Sequence, residues 1–416
     1  MPEKEVNGMI RVLIADDSAF MRKVLTDLFN AQPDFTVAGT AINGKEAIGK
    51  VKELNPDLVT MDVNMPVMDG LNALAVIMEE KPTPVVMLSS LTQQGTEATI
   101  RALSLGAIDF ISKAGGSISK IDTIEDELLE KCRNAARAKV HKIPLAPLQK
   151  MENSRIARPA PPVMKRVEMP VRQGLKLKGP EPAAPSPNSG SGFGVKRPNI
   201  ILQARGKPQP PAASTVTPVT MGSMGNGSKK LVAIGTSTGG PQALQQVITR
   251  LPGNLPCGVV VVQHMPAGFT KALADRLDTI SQVSVKEAED GDVIEPGHVY
   301  IAPGSHHLRV REDGNSRRIV LGQDPPVGNH RPAVNVMYDS VAPIGKNLVA
   351  VIMTGMGCDG CEGMKKIKAA GGYSIAQDEP TCVVYGMPKA VVDAGLADEI
   401  KPVQNIAQAI VEAVKR

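Results

Sequence analysis

Asp16-Asp17, Asp62, Ser89 and Lys113 each close a short apolar run, and together they are the side chains that phosphoryl chemistry needs. Three carboxylates brought to one crevice repel each other unless a cation sits among them. An all-oxygen set with few protein donors suits Mg²⁺, which keeps several waters and accepts phosphate oxygens. A lysine and a small hydroxyl beside that cation would hold phosphoryl oxygens. The set fits transfer to a carboxylate, driven by positioning and charge neutralisation. Each residue alone has a plainer reading: Asp16-Asp17 ends a strand, and Met65-Pro66 opens a loop. Four strand ends carrying complementary chemistry weigh against it.

A second set lies in the C-terminal half. Leu231 to Gln242 runs from strand through a glycine turn into a helix, with Pro241 suited to the first helical position. Ser237 thus sits at a helix N-terminus in a formal G-x-S-x-G, where unpaired N–H groups and the dipole favour an oxyanion. The rival is a phosphate-binding turn on Gly239-Gly240, but the G-x-G-x-x-G spacing is absent. His264 ends the apolar run Val259–Gln263, and Pro266 keeps Met265 extended. Asp359 lies in a glycine loop after Val349–Met353. Ser, His and Asp at three strand ends facing one crevice are a nucleophile, a base and an orienter. Their order differs from that of the α/β-hydrolases, so the pattern does not argue for that fold. His298, His306, His307 and His330 fall in loops or a hairpin and His141 in a linker; they are weaker candidates for the base, though any could line the pocket. Cys358 and Cys361 form an isolated CxxC, read as buried small residues in preference to a metal or redox pair.

The elements that must position these residues follow from the patterning. Met9–Ala15, Thr36–Gly39, Leu58–Met61, Val85–Leu88 and Asp109–Ile111 read as buried strands, with amphipathic stretches such as Phe20–Asn30 and Lys45–Leu54 between them. That alternation implies a parallel, doubly wound sheet, with ligands at the carboxyl ends of its strands. Lys230–Gly235, Gly258–Gln263 and Asn347–Met353 open a second α/β domain, with a hairpin-like insertion around Val283–Leu321 whose turn is Glu312-Asp313-Gly314-Asn315. The 416 residues therefore divide into a domain over 1–140, a linker over 141–228 and a domain over 229–416. The linker holds 15 of the 34 prolines and 13 Lys and Arg against three Glu, so the net charge of +5 is carried there and the remainder is mildly acidic. It reads as disordered or polyproline-like, with Asn199–Gln203 as an apolar patch. Five scattered cysteines argue against a secreted disulfide framework. No signal peptide and no run of about 18 apolar residues appears, so a cytoplasmic protein without membrane insertion is expected. Nucleic acid is not an expected partner: no basic helix-turn-helix is visible.

Two family resemblances rest on these motifs. Val12-Leu13-Ile14-Ala15-Asp16-Asp17-Ser18 and Met61 to Gly70, with the Ser89 and Lys113 strand ends, resemble response-regulator receivers over residues 9–125. That resemblance implies a flavodoxin-like five-stranded fold and Asp62 as phosphoacceptor. It also implies Mg²⁺ held by Asp16, Asp17, Asp62 and the Asn64 carbonyl. Ser89 and Lys113 would contact the phosphoryl group, and Phe110 would be the aromatic that reorients. Receivers usually carry proline after this lysine; here Ala114 follows Lys113, so a trans peptide is expected there. Gly235 to Gly240, Gln263 to Thr270, Ile301 to His306 and Thr354 to Gly360 resemble the catalytic domain of chemotaxis protein-glutamate methylesterases over 229–416. This implies the Ser237–His264–Asp359 triad, the Met356 N–H in the oxyanion hole and no cofactor for the esterase. Implied partners are methylated chemoreceptors and a chemotaxis histidine kinase, with the chain a monomer. The activity implied is phosphorylation-activated hydrolysis of glutamyl γ-methyl esters, with glutamine deamidation as a related reaction. An unphosphorylated receiver would pack over the Ser237 crevice.

Overall fold

Short runs of Val, Ile, Leu and Met with polar residues at their carboxyl ends become parallel strands buried on both faces. In the computed structural model, which describes residues 8–90, 92–113, 121–138, 140, 229–314 and 316–416, the first sheet holds β1 (Ile10–Ala15), β2 (Phe35–Ala41), β3 (Leu58–Asp62), β4 (Val85–Ser90) and β5 (Asp109–Lys113). Its order is β2-β1-β3-β4-β5, and every pairing is parallel. Helices α1 (Ala19–Asn30), α2 (Gly44–Leu54), α3 (Gly70–Glu80), α4 (Gln93–Ser104) and α5 (Ile121–Arg137) complete the receiver fold. Ser18, Asn43, Asp69 and Thr92 each accept a hydrogen bond from an amide in the first turn of α1 to α4. Each cap satisfies a donor that the helix itself leaves unpaired, a contribution of about 1 kcal/mol. Strand alternation divides the core: Val12 and Ile14 pack with Leu25 and Phe29 of α1, while Leu13 and Ala15 pack with Ala47 and Val51 of α2.

The second sheet has seven strands, β6 (Leu231–Thr236), β7 (Gly258–Gln263), β8 (Ser284–Glu287), β9 (His298–Ile301), β12 (Leu348–Ile352), β13 (Tyr373–Gln377) and β14 (Glu399–Lys401). They run parallel in the order β14-β13-β12-β6-β7-β9-β8. A separate antiparallel hairpin, β10 (His307–Asp313) with β11 (Ser316–Gly322), is the expected insertion. It is shorter than the expected Val283–Leu321, because β8 and β9 join the main sheet. Those strands are four residues long, too short for alternation to separate them from a hairpin. The helices are α6 (Gly240–Ile248), α7 (Phe269–Ile280), α8 (Val334–Val341), α9 (Cys361–Ala369), α10 (Met387–Asp393) and α11 (Val403–Lys415).

The winding changes direction at β6, which has β7 on one side and β12 on the other. Such a reversal leaves a crevice at the carboxyl ends, and Ser237, His264 and Asp359 all follow these three strands. The described residues belong to one compact unit. Within it Gln242 Nε2 of α6 donates to the Ala107 carbonyl at 3.2 Å, and Phe110 of β5 packs on Phe269 of α7 with ring centroids 4.3 Å apart. The expected linker over 141–228, with His141 and Asn199–Gln203, lies outside the described residues, as do Ala114 and Asn315.

Candidate functional sites

The receiver-fold site is assembled by strand ends. Asp16 and Asp62 are buried and Asp17 is exposed; one oxygen of each lies within 4.8 Å of the others. Lys113 Nζ bridges Asp16 at 2.9 Å and Asp62 at 2.8 Å, and Asp16 also accepts the Ser18 amide at 2.8 Å. Burial and, to a lesser degree, the Asp16 charge push the Asp62 carboxyl above its ordinary value, against the pull of Lys113 and the Asn64 amide. Burial works against the Lys113 ammonium, but its bonds to Asp62 and Asp16 outweigh this and raise it. One lysine does not neutralise three carboxylates, and the all-oxygen donor set fits Mg²⁺. Ser89 is buried at the end of β4, its hydroxyl donating to the Gly95 carbonyl at 3.0 Å. Gly70 is required here: a Cβ would lie 2.0 Å from the Asp62 carbonyl oxygen.

In the second crevice Ser237 sits on a clamped turn. Its amide donates to Thr354 at 3.0 Å, and its carbonyl accepts from the Gly240 amide at 2.7 Å and from Gln263 Nε2 at 3.0 Å. Gly239, with φ of 75°, turns the chain into α6 without a side-chain cap; the Gly240 amide is taken by the Ser237 carbonyl and Pro241 has none to offer. His264 Nε2 lies 2.8 Å from Asp359 Oδ2, both side chains under 10% exposed. Asp359 also accepts the Val334 amide at 2.6 Å and the Asn335 amide at 2.9 Å, the N-terminus of α8. Burial alone would raise this carboxyl; the His264 hydrogen bond and charge, with the two amides, hold it below its ordinary value. With Nε2 donating to Asp359, Nδ1 is left as the acceptor; it is buried and has no partner among the described residues. No hydrogen bond joins it to Ser237 Oγ, a contact often long before substrate arrives. The Met356 amide donates to no other group among the described residues, and its thioether accepts from Asn134 of α5.

The structure thus brings together Ser237, His264, Asp359 and Met356 in one crevice and Asp16, Asp17, Asp62, Asn64 and Lys113 in another. Sequence patterning missed three features. The amides of Val334 and Asn335 hold Asp359, though the apolar run from Ala333 could have flagged a helix start there. His330 stacks on His264, with centroids 3.7 Å apart and planes 13° apart. Thr238, next to Ser237, donates to Asp109 Oδ2 at 2.9 Å, while Asp109 Oδ1 pairs with Lys131 at 3.3 Å. His307 is structural: its ring reaches Pro325 and Ala333. The expectation for the CxxC holds for Cys361, which is buried, and fails for Cys358, which is exposed because the loop between Gly357 and Gly360 turns it outward.

Fold and crevices define the class: a doubly wound domain with an acidic strand-end site, joined to a second parallel α/β domain with Ser237, His264 and Asp359 at its switch point. A response regulator receiver model matches residues 12–123 and a CheB methylesterase model matches residues 232–410. A protein from Symbiobacterium thermophilum named protein-glutamate methylesterase/protein-glutamine glutaminase is 46% identical, over 98% of this chain and 98% of its own. One of the same name from Pyrococcus abyssi is 41% identical over 98% and 94%. The crystal structure of the Thermotoga maritima CheB methylesterase catalytic domain is 48% identical, covering 44% of this chain and 97% of its own, with a TM-score of 0.43. The chain belongs to the protein-glutamate methylesterase/protein-glutamine glutaminase family. Among the described residues no helix is long and apolar enough to cross a membrane.

Proposed function

We propose that the chain hydrolyses glutamyl γ-methyl esters on chemoreceptors to glutamate and methanol, and receptor glutamines to glutamate and ammonia, under control of phosphorylation at Asp62. The observation that carries this reading is the His264–Asp359 pair beside Ser237 at the switch point of the second sheet, in a chain of this family. Ser237 Oγ attacks the ester carbonyl while His264 Nδ1 takes its proton. Asp359 steadies the imidazolium through Nε2. The Met356 N–H would donate to the oxyanion that develops. The proton returns to the leaving methoxide, methanol departs, and the acyl-enzyme remains. His264 then deprotonates a water that attacks the acyl carbon, releasing glutamate and Ser237. An amide follows the same course with ammonia as leaving group.

Asp62 takes the phosphoryl group from a histidine kinase. Asp16, Asp17, Asp62 and the Asn64 carbonyl would hold Mg²⁺, which neutralises phosphoryl charge when bound. Lys113 and Ser89 contact the phosphoryl oxygens. The receiver spans residues 1–140 and the esterase 229–416, joined by 141–228. The protein works as a cytoplasmic monomer. Gating is supported by contacts on both sides of the crevice: Asp109 on Thr238 and Asn134 on Met356. Phosphorylation would bias this arrangement toward an open one. The test is methanol release from methylated receptors, with and without a phosphodonor. Ser237→Ala should abolish release and Asp62→Ala should abolish only its stimulation. Full activity in the Ser237 variant would end the esterase reading.

A further inference from the structure

The loop between β11 and α8 holds a second imidazole over His264, and hydrogen bonds tie it down from several sides. Val327 and His330 exchange both backbone hydrogen bonds at 3.0 Å, and the Ser305 amide donates to Arg331 at 3.0 Å. Arg331 Nη1 donates to the carbonyls of Gln323 at 2.9 Å and Asp324 at 3.0 Å. Fully buried His307 ties the loop from beneath, donating through Nε2 to Pro325 at 3.1 Å and accepting the Ala333 amide on Nδ1 at 3.3 Å. Asn329, just before His330, takes the left-handed backbone with φ of 66°, a conformation that asparagine tolerates better than most residues. With the backbone tied in this way, the His330 ring lies flat on the ring of His264.

We propose that His330 is a positioning residue for the hydrolysis, an inference that rests on His264 being the base. The bond from Nε2 to Asp359 constrains His264 within its ring plane only, and the ring can still rock about that bond. The stacked face of His330 constrains it along the ring normal. Together the two contacts aim Nδ1 in one direction. The groups that face His330 are His264, Asp359 and Lys131; burial above all, with His264 and Lys131, pulls its ionisation down to about 4 against the Asp359 charge. His330 is therefore neutral at pH 7. A neutral ring face attracts the imidazolium that forms on His264, where a charged one would repel it.

The test uses the full chain with His330→Ala, His330→Leu and His330→Phe. It reads kcat and KM for methanol release, and the rate at which a sulfonyl fluoride labels Ser237. Alanine and leucine, which lack a flat π face, should lower kcat and the labelling rate about 10- to 100-fold, with KM within about twofold of the parent. Phenylalanine, which restores the face without a titratable nitrogen, should recover rates to within about threefold. Thermal melts establish that the variants fold, and leucine fills the loop should alanine open it. A parental kcat in both the alanine and leucine variants would overturn the proposal. So would a phenylalanine variant as slow as alanine, or a loss confined to KM. Ser237→Ala and His264→Gln run alongside: if they keep activity the triad reading fails, whereas their loss beside a parental His330→Ala sinks only the positioning role.

Discussion

At the residue scale Asp359 has two duties, and substitutions can separate them. Its carboxylate accepts from His264 Nε2 and from the two first amides of α8, whose own N-cap residue Ala333 offers no side-chain bond. Asp359→Asn keeps an oxygen for the helix amides but presents the wrong partner to the imidazole. Methanol release should fall about 10⁴-fold, with a smaller loss of stability than a variant that also gives up the helix amides. Asp359→Ala should lose the same activity and also about 1–2 kcal/mol of stability, the usual contribution of an N-terminal cap. The pH dependence has a definite sign. Asp359 ionises more readily folded than unfolded, so its stabilisation is complete well above the ordinary value of 3.8 and disappears as pH falls through the lower folded value. Denaturant melts of the parent and Asp359→Asn should therefore differ by a constant amount above about pH 5 and converge in strong acid. A difference that grew on acidification would exclude this account. Ser237, His264 and Asp359 were legible because each follows a recognisable strand. Val334, Asn335 and His330 were not, since their contacts with Asp359 and His264 join segments far apart in the sequence.

At the element scale the turn between β6 and α6 decides how Ser237 is presented. Gly239 has a φ of 75°, and a Cβ there would stand 2.4 Å from Val383 Cβ. Gly239→Ala thus combines left-handed strain of about 1–2 kcal/mol with an overlap that only backbone movement relieves. Both melting temperature and esterase rate should fall, the rate more steeply, because the displaced residue neighbours Ser237. A stable variant with parental rate would show that the turn adapts without moving Ser237. This turn was readable, as were β1, β3, β6 and β7, because long apolar runs stopped at glycine, proline or acid. The assignment of β8 and β9 to the parallel sheet was not. Only Val285 of Ser284–Glu287 is buried, at a sheet edge, a pattern that a hairpin strand shares. The order of the strands was equally hidden, since β12 reaches β6 only after a connection of more than a hundred residues.

At the scale of the whole molecule, Asp109 links the two sheets. It precedes Phe110 on β5, accepts the Thr238 hydroxyl beside Ser237, and pairs with Lys131, which in turn donates to the Phe110 carbonyl at 2.8 Å and lies 5.1 Å above its ring. Lys131 is kept protonated by Asp109 and Glu127 despite its burial. If the unphosphorylated protein is held closed by these contacts, removing one should release activity that phosphorylation otherwise releases. A hydrogen bond to a charged group is worth about 1.5–3 kcal/mol, although partial exposure places this one near the lower end. Asp109→Ala should then raise basal methanol release about tenfold and leave the phosphorylated rate unchanged, because an open population cannot be opened again. Thr238→Val removes the same bond from the other side. It should raise the basal rate by a similar factor, and the double variant should add little to either single change. Additive effects would mean that the two residues act through separate contacts. A basal rate unmoved by Asp109→Ala would mean that the closed state is held elsewhere, with Phe110 on Phe269 the next contact to break.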